Sequence, residues 1–153
     1  MAGCDKEGKE IYNTISVEGC SNEEYNRNYI PESVVFIPPR QWQCEETMYR
    51  TDLQIAFYPS ASLILEIYHT ATSGSVPEGT HLLAPVCNEG FNAGFYPYAG
   101  KKTQGISFSS GSVIIEKTGE DYYIVINLSI EPESGGGTMI GNFMGPLTEL
   151  PGK

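Results

Sequence analysis

The chain has 153 residues, a length that fits one domain with a core of useful size. Its 17 glycines, 10 prolines and 10 tyrosines favour many short strands punctuated by turns over long helices. A formal net charge of -10 with only one adjacent basic pair, Lys101-Lys102, argues against nucleic acid and acidic membrane surfaces as partners, because phosphate binding needs clustered lysine or arginine.

No run approaches the roughly 18 apolar residues of a membrane span. Met1-Ala2-Gly3-Cys4 looks like the processing site of a bacterial lipoprotein signal, in which Cys4 carries the lipid. The polar continuation Asp5 to Glu10 suits a tether, so residues 1–10 are expected to be a lipoprotein tether and residues 11–153 a single all-β domain. With Cys4 acylated, Cys20, Cys44 and Cys87 allow at most one internal disulfide, and their spacing matches no zinc pattern. A buried free thiol is the ordinary fate of such a cysteine.

Ile11 to Glu18 alternates enough to predict a first strand, with Ile11, Asn13, Ile15 and Val17 on one face. Ser21-Asn22-Glu23-Glu24 has the form of a capping box and predicts a turn or two of helix to about Asn28, ended by Pro31. Val34 to Ile37 reads as a short buried strand stopped by Pro38-Pro39. Arg40 to Glu46 has no clear period and carries the only tryptophan, Trp42, which either plugs the core or offers an exposed aromatic platform.

Leu53, Ile55 and Phe57 alternate before a turn at Pro59-Ser60-Ala61, and Leu63, Leu65 and Ile67 alternate after it, which predicts a hairpin. His69 continues the inward parity and is expected to be a hydrogen-bonded structural residue. Val76 to Pro85 reads turn, strand, stop, with His81 in the strand. Asn88 to Lys102 interleaves Phe91, Phe95, Tyr96 and Tyr98 with glycine, asparagine and proline. Such a mixture suits a recognition loop, since rings supply contact area at low entropy cost; it equally suits an irregular strand pair whose rings pack inward.

The clearest signal is Ser112 to Leu147. Tyr122, Ile124, Ile126, Leu128 and Ile130 fall at every second position, Thr118 to Asp121 supplies the turn before them, and Thr138 to Met144 returns after the loop Glu131 to Gly137.

From Leu53 to Leu147 the order LILEIY, VPEGTHLLAP, FNAGFYPY, SSGSVIIEKTGEDYYIVINLSI and IGNFMGPL resembles a recurrent calycin- or lipocalin-like domain of lipid-anchored surface and periplasmic proteins in gut-dwelling Gram-negative bacteria. The resemblance covers about two thirds of the chain and contains no catalytic fingerprint. It implies an antiparallel β-barrel or barrel-like sandwich, anchored to the outer membrane and facing the periplasm or the cell exterior. The resemblance does not extend to the segment up to Arg50.

There is no G-x-S-x-G, and Gly111-Ser112 stands in the wrong context for a nucleophile elbow. Carboxylate pairs could be drawn from Glu66, Glu78, Glu89 and Glu116, as in any acidic protein. Glu131 and Glu133 lack the fixed-offset ligands of a calcium loop. The expectation is therefore an all-β single domain of roughly eight to ten antiparallel strands with at most one short helix near residues 21–28, a barrel ahead of an immunoglobulin-like sandwich. It is expected to be non-catalytic, with no cofactor or metal. It would bind a glycan or a host or cell-surface protein through Trp42, Phe91, Phe95, Tyr96 and Tyr98, touching a membrane only through Cys4. The alternative is a barrel that carries a small apolar ligand inside.

Overall fold

The structure, a computed structural model, describes residues 3–4, 10–41, 48–58, 60–70, 76–85, 88–97 and 105–149, with 3–4 and 39–41 described as backbone alone. Twelve strands follow in order among these residues: β1 (Gly3–Cys4), β2 (Glu10–Ile11), β3 (Thr14–Glu18), β4 (Asn28–Gln41), β5 (Tyr49–Tyr58), β6 (Ala61–His69), β7 (Gly79–Leu82), β8 (Gly90–Tyr96), β9 (Phe108–Thr118), β10 (Asp121–Ile130), β11 (Thr138–Gly145) and β12 (Thr148–Glu149).

Nine of them form one antiparallel sheet in the order β7-β9-β10-β11-β3-β4-β5-β6-β8. The sheet curls until its ends meet. Phe95 exchanges both backbone hydrogen bonds with Ile106, at 3.1 and 2.7 Å, and Ala84 donates to the carbonyl of Phe91 at 2.9 Å. The result is a nearly closed antiparallel β-barrel, not the two facing sheets of a sandwich. Bringing the ends together covers much of the edge that an open sheet would offer to other chains.

The alternation that predicts β10 also builds the interior. Tyr122, Ile124, Ile126, Leu128 and Ile130 are all buried, as are Val113 and Ile115 beside them on β9. Leu53, Ile55 and Phe57 on β5 face inward with Leu63, Leu65 and Ile67 on β6, as their period of two requires. The centre is aromatic: Tyr29 meets Phe95 edge-on at 5.0 Å between ring centres and Phe57 at 5.8 Å.

The short helix expected near residues 21–28 is a single 3-10 turn, Glu23–Tyr25, and Asn22 in place of Ser21 caps it by accepting from the amide of Glu24. Two expectations are corrected. The strand expected to stop at Pro38-Pro39 runs from Asn28 to Gln41, because both proline sites fall at register shifts, Pro31/Ser33 and Ile37/Arg40, where a missing donor leaves no ladder bond unmade. The first strand is broken at Asn13, which takes φ 50° and turns its side chain onto the amide of Met144.

Residues 131–137 form a 3-10 turn, Pro132–Ser134, followed by three glycines of positive φ. The turn locks onto the β3–β4 connection through the Ser21 amide, which donates to the Gly135 carbonyl at 2.8 Å. Gly137 has φ 89°, and a side chain there would strike the carbonyl of Glu18. β1 pairs with β2 in register Cys4 to Glu10, which places the backbone of Cys4 beside the start of the barrel.

Candidate functional site

The barrel separates the aromatic residues of the 88–102 segment. Phe91 and Phe95 are completely buried and belong to the core, so they offer no surface to a partner. Tyr96, of opposite parity on β8, lies outside and half-buried. Trp42 and Tyr98 lie outside the described residues, as do Cys44 and Cys87. The alternation of Phe91, Ala93 and Phe95 against Asn92, Gly94 and Tyr96 carries this division in the sequence once β8 is read as a strand and not a loop.

The outer face around Tyr96 follows from the register. Ser62, Ile64 and Glu66 of β6 stand opposite Tyr96, Gly94 and Asn92 of β8, and all six point away from the core. On the other side of β8, the antiparallel Phe95–Ile106 bridge brings Gly105 beside Tyr96 and Ser107 beside Gly94. The Tyr96 ring is laid across two glycines. A Cβ on Gly105 would come within 2.8 Å of ring carbon Cε1, and one on Gly94 within 3.1 Å of the hydroxyl. Glycines thus set the floor at a level where the ring lies flat, a known way for an aromatic residue to cover backbone that glycine leaves bare.

The space beside the ring is an open groove of about 420 Å³, floored by Ile64, Gly94 and Gly105 and walled by Glu66, Asn92, Tyr96 and Ser107. It continues past Ser107 in two directions, toward Glu131 and Ser109 and toward Tyr25, Asn22 and Glu133. Carboxylate, amide and hydroxyl groups line it beside Tyr96, with Ile64, Ala93 and Ile106 as its apolar members and Leu83, Ala84 and Pro85 added on the side of Glu131 and Ser109. Sequence reasoning names Tyr96 but misses Asn92 and Ser107, and treats Glu66 only as a possible acid catalyst. The register between β8 and residues 105–107 is what assembles them.

The other polar clusters are tied into the fold. Arg50 grips Asp52 through two bonds of 2.8 and 3.0 Å and reaches Glu66 at 3.5 Å. Burial works against the charge of Arg50, but the carboxylates of Asp52 and Glu66 outweigh it and hold the guanidinium proton more tightly than usual. Glu66 lines the groove 3.5 Å from the Arg50 guanidinium. His69 is buried and bonded to the Thr51 hydroxyl at 2.8 Å, and His81 to the Pro77 carbonyl at 3.0 Å. Cys20 is a buried free thiol at 3.8 Å from the Ser134 carbonyl. Burial raises the phenol of Tyr29, more than Arg27 beside it lowers it. Among the described residues no three metal-ligating side chains cluster.

The fold and site define a nearly closed antiparallel barrel with a polar, tyrosine-bearing outer groove, an architecture consistent with a calycin-like all-β domain. No protein-family model, curated protein or solved structure matches the chain.

Proposed function

We propose that the protein is a non-catalytic binding module that takes a glycan in the outer groove beside Tyr96, and that Cys4 carries the lipid that anchors it at a membrane surface. The observation that carries the reading is the Tyr96 ring resting on Gly94 and Gly105, with Glu66, Asn92 and Ser107 around it. Sugar rings present a face of C–H groups that packs on an aromatic plane and a rim of hydroxyls that needs donors and acceptors. The groove offers both, and the carboxylate, amide and hydroxyls around its one aromatic face suit a sugar better than the anchor residue of a protein partner. An interior carrier role fits less well, because Tyr29, Phe57 and Phe95 occupy the middle of the barrel edge to face.

A glycan array probed with the wild-type chain and with Tyr96→Ala tests the proposal. Binding to a defined set of neutral glycans, reduced at least about tenfold in affinity by the substitution, is the expected result. Binding that Tyr96→Ala leaves unchanged, or no glycan bound at all, overturns it. Acyl labelling in the native host, abolished by Cys4→Ser, is the matching test of the anchor.

A further inference from the structure

The outer face that holds Tyr96 carries a second exposed tyrosine. Tyr58, at the end of β5, is 60% exposed and is paired across the sheet with Ile30, itself 49% exposed. β5 and β8 both flank β6, and the register sets Ala56, Ser62 and Tyr96 in one row across the three strands, with Tyr58 two residues beyond Ala56 on the same face. Two strand spacings and two residues along the strand put the tyrosines about 12 Å apart by backbone geometry. Between them lie Ser62 and Ala56, small side chains that leave the path low.

Resting on the glycan reading of the Tyr96 groove, we infer that the site extends across the outer face of β6 to Tyr58, so that the protein takes an internal stretch of a neutral polysaccharide and not a single terminal sugar. A distance of about 12 Å exceeds one pyranose ring and suits a short oligosaccharide laid flat, with one ring on each tyrosine. The groove at Tyr96 is open to solvent and Tyr58 is exposed on the same outer face, so a chain can lie across both without an end being bound. The charge favours a neutral polymer: the chain carries a net charge of -10, and Arg50, which reaches the groove's Glu66, is already held by Asp52 and Glu66. Ile30, the apolar residue paired with Tyr58, is by itself too small a patch to anchor a protein.

The test is a titration of size-graded neutral oligosaccharides, from monosaccharide to octasaccharide, prepared from glucan, mannan and xylan. The wild-type chain, Tyr58→Ala and Tyr96→Ala are compared. In one series affinity is expected to rise steeply with length; Tyr58→Ala removes about tenfold of the affinity for the long members and leaves the disaccharide unaffected, whereas Tyr96→Ala weakens every length. Tyr58 is exposed, and unchanged thermal unfolding of Tyr58→Ala separates a contact loss from a fold loss. Length-independent binding, or long-chain affinity that Tyr58→Ala does not alter, overturns the extended site and leaves the Tyr96 groove standing. No binding of any series to the wild-type chain overturns the groove reading and this inference with it.

Discussion

Phe95 and Tyr96 are neighbours on one strand with opposite duties, and exchanging each for alanine separates them. Phe95 is wholly buried and touches Tyr29 at 5.0 Å and Phe57 at 6.3 Å, both edge-on. Removing a buried phenylalanine ring costs about 3–5 kcal/mol through lost transfer energy and the cavity left behind. The two edge-to-face contacts, worth about 0.5–1.5 kcal/mol each, place Phe95→Ala toward the upper part of that range. A loss of about 4–5 kcal/mol is about a quarter or more of the stability of an ordinary domain and lowers the melting temperature by about 8–20 °C. Tyr96→Ala bares two glycines at the surface and costs no more than about 1 kcal/mol. Urea unfolding followed by tyrosine fluorescence measures both values. A loss below about 1 kcal/mol for Phe95→Ala contradicts the account, since it means that β8 does not present Phe95 to the interior and that the closure through Ile106 is misdrawn.

Gly137→Ala and Gly136→Ala make a second paired test, read by thermal unfolding. Both positions have positive φ, but only at Gly137 does the new Cβ strike fixed backbone, so Gly137→Ala is expected to cost the larger share, at the upper end of about 1–3 kcal/mol. Gly105→Ala, a position without positive φ, is expected to keep the fold and weaken glycan binding by pushing the Tyr96 ring off its seat, which a binding titration with an unfolding control reports. The raised phenols predict the alkaline limit. Burial favours the neutral form of Tyr29 in the fold, so its contribution to stability is complete below the ordinary phenol value of about 10 and is lost as the pH climbs through the higher folded value. Burial and the nearby carboxylate of Glu66 act on Tyr68 in the same direction. Phenolate absorbance is expected to show a class of tyrosines that ionises only together with unfolding. A titration in which every tyrosine ionises near pH 10 with the fold intact contradicts this.

The sheet was readable where one face is buried along a whole strand. Tyr122 to Ile130 alternates because every second residue meets the core, and β5 and β6 alternate for the same reason. It was unreadable where a bulge absorbs the breaker, as at Pro31 and Pro38-Pro39, because a local rule cannot know that a register shift will remove the ladder bond. The aromatic loop is the instructive case. Ring content alone points to recognition, but the glycines at 90 and 94 are strand residues, and the parity they share with Tyr96 sends Phe91 and Phe95 inward. The groove itself rests on pairs distant in sequence: Glu66 meets Asn92 where β6 pairs with β8, and Gly105 meets Tyr96 only after the sheet has curled. Nothing local to either partner announces them.

The most direct test of the central claim is a map of amide shifts as an oligosaccharide selected on the array is titrated into the labelled protein. The account predicts perturbations concentrated at Glu66, Asn92, Gly94, Tyr96, Gly105 and Ser107 on the outer face of the barrel, with inward residues such as Leu65, Phe95 and Ile126 unmoved. Shifts centred on those inward residues, or on a face that does not include Tyr96, contradict it.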